Sequence, residues 1–302
     1  MFNGASNFVE GVDTAFMLII GISLFFLVSI TALMIVFTFK YSRKRHPKAV
    51  QIPSNTPLEI TWTVIPVILV MVMFYFGYVA FTPERNPPKD AMVIKTTGRM
   101  WSWDFEYANG KHSQELVVPF NKPVRLNMTS VDVIHSLYIS AFRVKEDLVP
   151  GKQTMMWFIP QQMGNYDILC AEYCGLRHSY MESVVRVVSQ QEFDAWLAKV
   201  EKSTSLAGLE IMKRNACVSC HTIDGSKLVG PTLKRLFGSK HFVITNGKER
   251  EVIADEAYIQ ISIMEPNKDI VKGFNQGLMK SYKGVLKDEE IKSIIEYLQS
   301  IK

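Results

Sequence analysis

Cysteine is scarce in this chain: four residues in 302, at positions 170, 174, 217 and 220. That excludes a small disulfide-held scaffold, which needs a far higher density. Charge is also modest. Only 21% of residues are charged and 48% are hydrophobic, and no internal repeat is present, so disordered and fibrous readings fail. The net charge is +5, too small an excess to imply a nucleic-acid partner. Two stretches, 16–39 and 60–81, lack charge altogether. Two more lack one sign: the first fifteen residues hold Glu10 and Asp13 but no base, and KYSRKRHPK (40–48) holds no acid.

The uncharged runs are long enough to cross a membrane. The 24 residues of 16–39 extend roughly 36 Å as a helix, against a hydrocarbon core of ~30 Å. The second run contains Pro66, which a membrane helix tolerates when neighbours satisfy the freed carbonyl. A buried globular helix is the alternative, but such helices are usually shorter. The basic loop between the runs orients the pair: by the positive-inside rule it faces the cytoplasm and both termini lie outside. The N-terminus lacks a positive n-region, and its apolar run is too long for a signal peptide. The expected setting is therefore a bacterial inner membrane, with everything beyond about residue 82 outside the cytoplasm.

Residues 82–90, TPERNPPKD, read as a linker. From 91 to 190 the chain holds short β-like runs, MVIKTT, WSWDFEY, VRLNMTS, TMMWFIP, NYDIL and SVVRVV, separated by Gly, Pro and Asn. This pattern predicts a β-sandwich or barrel. QQEFDAWLAKVEKS then reads as helix. So do 206–215, 255–264 and 288–301, where Ile291, Ile294, Ile295 and Leu298 share one face. FVITNGKEREVI predicts a hairpin about Asn246-Gly247. The predicted architecture is a multidomain membrane protein: a transmembrane hairpin and linker (1–90), a β-sandwich (91–190) and a small, mostly helical domain (204–302).

The helical domain opens with CVSCH. Two thiols three positions apart can add to the two vinyl groups of one haem, and the adjacent imidazole then reaches the iron. Cys217 and Cys220 are the candidate thioether residues and His221 the proximal ligand. A redox CxxC pair and half a zinc site are the alternatives, but no second Cys/His pair follows. Met264, Met279 and His241 compete for the sixth position. Met279 is favoured because small helical cytochromes carry this Met in a loop before the last helix. Gly230-Pro231 is read either as a turn or as packing beneath the haem.

The second cluster, CAEYCGLRHSYM, brings together Cys170, Cys174, His178 and Met181. A disulfide between cysteines so close in sequence closes little chain entropy. Zinc would accept two thiolates and two imidazoles, but a soft thioether among such ligands points to copper. His135, in SVDVIHSLYI, supplies a second imidazole. His112, in ANGKH, is the competitor.

With MWSWDFEY and LEITWTVIP (58–66) upstream, this array resembles subunit II of haem–copper cytochrome c oxidases. The trailing domain makes the chain similar to the fused, caa-type form. The resemblance implies a cupredoxin-like sandwich with a dinuclear CuA centre. Cys170 and Cys174 would bridge two coppers, His135 and His178 would bind one each, and Met181 and the Glu172 carbonyl would be weak axial ligands. It also implies a Glu172 side chain available to magnesium at the contact with subunit I. Trp101 would be an electron-entry aromatic and Glu59 a carboxylate at a proton-channel entrance. Departures from the family pattern are Ser102, Glu182 and Lys280, where an aromatic and two prolines are usual. None of the three removes a ligand.

The resulting expectation is an electron-entry subunit of a respiratory oxidase. It takes electrons from a donor such as cytochrome c or a supercomplex neighbour, through covalent haem c and CuA, to subunit I, where dioxygen becomes water. Its partners are the other oxidase subunits and membrane lipid. The rivals are the CuA subunit of a nitric oxide reductase and a membrane-tethered copper-delivery protein. A quinol oxidase subunit would lack the copper ligands.

Overall fold

The computed structural model describes residues 4–48, 50–51, 53–199 and 204–301. The two uncharged runs form long helices, α1 (Val9–Lys40) and α2 (Thr56–Glu84). None of the apolar window of either helix is buried within the chain, so they are not core helices of a globular domain. Both outrun the uncharged segments, and the start of α2 is capped by side chains. The Asn55 side chain accepts from the Leu58 amide at 3.2 Å, and Glu59 Oε1 accepts from the Asn55 amide at 3.3 Å, satisfying donors that a helix start leaves free. At its far end α2 continues through Pro83 to Glu84. Residues 82–84, expected as linker, are thus helical, and the Pro83 carbonyl accepts from Trp157 Nε1 at 3.0 Å.

Both helices leave from one face of the following domain. Ahead of α1, the Ala5 amide donates to Ala141 O at 2.8 Å, and Phe8 packs edge-on against Trp157 with ring centroids 4.9 Å apart. Asp13 pairs with Arg143 at 2.7 Å, and Arg85 beyond α2 pairs with Glu146 at 2.6 Å. The basic loop therefore lies at the opposite end of the helical pair.

The β-region is a sandwich of two five-stranded sheets. Its strands are β1 (Met92–Arg99), β2 (Ser102–Glu106), β3 (His112–Ser113), β4 (Leu116–Pro119), β5 (Val124–Ser130), β6 (His135–Ile139), β7 (Val144–Leu148), β8 (Thr154–Phe158), β9 (Gly164–Cys170) and β10 (Glu182–Val188). One sheet runs β3-β2-β1-β5-β8, the other β4-β10-β9-β6-β7. In β5 the inward alternation is clean: Val124, Leu126, Met128 and Ser130 are buried. Trp103, Phe105, Phe142 and Phe158 fill the space between the sheets; each large apolar side chain fully buried contributes about 1.5–3 kcal/mol.

A capping box at Ser189 and Glu192 starts α3 (Gln190–Ala198), whose Phe193 packs on the sandwich. The rest of that predicted helical run, 200–203, lies outside the described residues. Beyond it come α4 (Thr204–Arg214), α5 (Cys217–Cys220), β11 (Lys240–Thr245), β12 (Lys248–Ile253), α6 (Glu256–Met264), β13 (Ile270–Val271) and α7 (Asp288–Ser300). The hairpin turns at Asn246 and Gly247, both at positive φ (49° and 77°), as a two-residue turn requires. The third strand, β13, pairs with β11. A two-residue strand carries too little pattern to read from sequence. Ile291, Ile294, Ile295 and Leu298 of α7 are buried in a core shared with Met212 and Ile259.

Candidate functional site

The first site forms where β6 and β9 pair, with Leu137 opposite Cys170. This register sets His135, at the start of β6, beside Cys170, at the end of β9. The following loop is tied back at both ends: the Cys170 amide donates to Met181 O at 3.1 Å, and the Ala171 amide to Ser136 O at 2.9 Å. A 3₁₀ turn at His178–Tyr180 then returns His178 and Met181 toward the sulfurs. Cys174 Sγ lies 3.8 Å from Cys170 Sγ, 3.6 Å from His178 Nδ1 and 3.7 Å from Met181 Sδ. The ligand atoms of His135, Cys170 and Cys174 all lie within 4.8 Å of one another. The Glu172 carbonyl is 3.3 Å from Cys170 Sγ, and its carboxylate side is exposed. All four cysteines are unpaired. The five side chains expected at this site therefore converge, and the carbonyl adjoins them.

His135 is fully buried, and its Nε2 contacts Asp132 Oδ1 at 2.8 Å. An ionised carboxylate only accepts, so Nε2 carries the proton. Nδ1 is left buried with no partner of hydrogen-bond geometry, as expected of a lone pair reserved for a metal. Asp132 is held in turn by the Met100 amide at 2.8 Å and the Val133 amide at 2.7 Å. Burial works against the Asp132 charge, but His135 and these amides keep its carboxyl below the usual range. Burial likewise opposes the charge on His135, and Asp132 and Cys170 outweigh it, holding the imidazole above its ordinary value. Burial opposes ionisation of Cys170, yet the His135 contact and backbone hydrogen bonds bring it down to about 6. Burial, then the adjacent Cys170 sulfur, pushes Cys174 up to about 12. Without a cation the pocket accommodates one thiolate comfortably and resists two. Soft sulfur, imidazole and thioether donors together fit copper. His112 is elsewhere: it lies on β3, 2.8 Å from Asp104.

The second site surrounds α5. The chain enters it through Ala216 at φ 59°, and the single turn is closed by the His221 amide donating to Cys217 O at 2.9 Å. His221 Nδ1 donates to the Pro231 carbonyl at 2.7 Å. This places the lone pair on Nε2, the form a metal ligand needs. Burial keeps this imidazole below its ordinary range, against the pull of the Pro231 carbonyl. Gly230 lies against the ring, and its amide donates to Cys220 O at 2.9 Å. Gly230-Pro231 is thus the floor under His221.

A cavity of about 520 Å³ opens above this imidazole, lined by Cys217, Cys220, His221, Met279 and Tyr282 among others. Met279 is on its wall. Met264 is not, although both methionines pack against the helical core. His241 also reaches the wall, but its Nε2 is engaged by Ser239 Oγ at 2.7 Å. The cavity's size, its two thiols and its prepared imidazole fit haem c.

The sandwich closes one side of the same cavity with Arg99, Met100, Trp101 and Asp132. Trp101 is only 7% exposed, and Gly175 of the copper loop lies on its ring: a Cβ there would stand 3.5 Å from Cζ2. The two sites therefore share a wall, and Asp132 belongs to both. Asp132 was not singled out in the sequence; its position three residues before His135 was the available signal. Glu59 lies apart from both sites, exposed in the first turn of α2, where it caps the helix.

Family profiles match three parts of the chain: "Cytochrome C oxidase subunit II, transmembrane domain" over residues 1–78, "Cytochrome C oxidase subunit II, periplasmic domain" over 111–188, and "Cytochrome c" over 205–302. Cytochrome c oxidase subunit 2 of Alkalihalophilus pseudofirmus is 31% identical, the match covering 94% of this chain and 86% of that one. The Bacillus sp. PS3 protein of the same name is 28% identical over 83% of this chain and 76% of its own length. Among solved structures, the periplasmic domain of subunit II of cytochrome oxidase from Bradyrhizobium japonicum is 36% identical, covering 36% of this chain and 93% of that one, with a TM-score of 0.35.

Proposed function

The chain belongs to the cytochrome c oxidase subunit 2 family, and from that premise we propose that it is the electron-entry subunit of a terminal oxidase, taking electrons from an external donor through covalently bound haem c and a CuA centre to subunit I, where dioxygen is reduced to water. The observation that carries this reading is the shared wall: the cavity that fits haem is closed by Trp101, Met100 and Asp132, and Asp132 also holds the copper-site His135. Bound at the two sites, haem iron and a copper pair would each supply a one-electron carrier.

The chain's own residues do the positioning. Cys217 and Cys220 would anchor the haem, and His221, oriented by Pro231 and Gly230, and Met279 would hold its iron. Cys170, Cys174, His135, His178, Met181 and the Glu172 carbonyl would hold the coppers. Trp101 is buried and lines the cavity beside Cys217 and Cys220, so it serves electrons arriving from that haem, and a soluble donor docks on the haem domain instead. Beside the copper loop, the exposed Glu172 carboxylate, Tyr173 (75% exposed) and Leu176 (69%) form a face for subunit I. Glu172 is then placed to share a magnesium ion across that contact, and Glu59 to admit protons from the opposite side. The basic loop is cytoplasmic, and both redox domains lie outside the inner membrane.

A gas-uptake assay of the purified complex tests the reading. It predicts donor-driven consumption of dioxygen. Consumption of nitric oxide with no dioxygen uptake would move the chain to a nitric oxide reductase. One exchangeable copper per chain and no catalytic partner would make it a copper-delivery protein.

A further inference from the structure

Arg177 joins the two sites directly. It precedes His178 in the copper loop, three residues after Cys174. Its Nη1 donates to the backbone carbonyl of Ser219, inside the turn that carries Cys217 and Cys220. The guanidinium also stands over the Tyr180 ring, 4.9 Å from its centroid, so it is held from both sides. The acceptor is equally fixed: the Ser219 amide donates to Ala216 O at 3.1 Å, and α5 is a closed turn. Cys220 packs against the sandwich core.

We propose that Arg177 is a positioning residue that docks the haem-attachment turn onto the copper loop and thereby sets the rate of electron transfer between the two sites. This rests on the electron-entry reading above. The step it serves moves one electron, lost by reduced haem iron and gained by the oxidised copper pair, with no bond made or broken. Among the described residues, the other polar contacts between the domains are Gln114 Nε2 donating to Lys213 O at 3.0 Å and the Arg99 guanidinium 5.2 Å from the Tyr282 ring centroid. Neither starts from the loop that holds Cys174 and His178. Small polar contacts between domains leave relative motion as the default. A charged, directional hydrogen bond between the two ligand-bearing segments is what would suppress it. Lysine keeps the charge but loses the planar fork, so it should restore part of the effect.

The test uses the intact, metal- and haem-loaded chain as wild type, R177K and R177Q. Three quantities are read: the haem-to-copper transfer rate after rapid haem reduction, amide hydrogen exchange across residues 216–222, and the copper EPR and haem absorbance spectra. The proposal expects R177Q to slow transfer about tenfold, the order that follows from loosening a positioned pair. Exchange across 216–222 should rise, both spectra should stay unchanged, and R177K should fall between. Wild-type transfer and exchange in R177Q would overturn it, as would an altered copper spectrum in R177K, which would place Arg177 in copper binding. If wild type itself shows no haem-to-copper transfer, the electron-entry reading fails, and the exchange measurement alone decides the docking.

Discussion

His221 and Gly230 are in such close contact that a Cβ on Gly230 would lie 2.5 Å from Cε1 of the imidazole. The ring is pinned by that contact and by its 2.7 Å bond to the Pro231 carbonyl. Gly230→Ala must tilt the ring or move the 230–231 backbone, and overpacking of this kind costs about 1–3 kcal/mol. Absorbance and thermal melting of the haem-loaded chain should show reduced haem incorporation, disturbed low-spin bands and a lower Tm. An unchanged spectrum and Tm would mean that the floor under His221 is not rigid.

Asp132 holds His135 through a 2.8 Å contact and receives two backbone amides. In Asp132→Asn the amide nitrogen faces the Met100 or Val133 amide, and the imidazole loses its charged partner. Losing the partner that orients a metal-binding imidazole lowers metal affinity about 10–100-fold. Copper titration against a competing chelator should show that loss, with an altered copper EPR spectrum. Wild-type affinity would make Asp132 a bystander.

Met279 lines the haem cavity, whereas Met264 is not part of its wall. Met279→Leu should convert low-spin haem to a high-spin or substituted form and lower its potential, since a Met ligand raises it. Met264→Leu and His241→Ala should keep the low-spin spectrum. A low-spin spectrum surviving in Met279→Leu but lost in either of the others would reassign the sixth ligand.

These residues show what the sequence could and could not convey. CVSCH and CAEYCGLRHSYM are local motifs, so most of each ligand set was legible from spacing alone. The six strand runs and the α7 stripe were legible for the same reason: periodicity is a local property. Four features depended on chain that is distant in sequence. His135 meets Cys170 only through the register of β6 and β9. Gly230-Pro231 could be a turn or packing, and only the fold sets it against His221. Trp101 comes to line the haem cavity only where the two domains meet. Arg177 meets Ser219 only because the other domain lies beside the copper loop. Hydropathy marks only the apolar part of a helix: the caps at Asn55 and Glu59 start α2 ahead of its uncharged run, and Pro83 is tolerated in the last turn.

No ion pair joins residues 91–190 to 204–301 among the described residues; the polar links named above use carbonyl acceptors and an aromatic ring. Salt screens exposed charge pairs over ~10 Å at 0.1 M but acts weakly on such contacts. Transfer within the chain should therefore vary little with ionic strength, while reduction by a charged external donor should respond strongly. A steep fall of the internal rate with added salt would show that the domains are steered together by charge.

The central claim is that electrons enter at the haem domain and pass to the copper site of the same chain. Stopped-flow reduction of the fully loaded, oxidised chain, followed at haem and copper wavelengths, tests it most directly. The haem should be reduced first, and the copper should then gain its electron at a rate independent of donor concentration. Copper reduced before haem, or at a rate that rises with donor concentration, would contradict it.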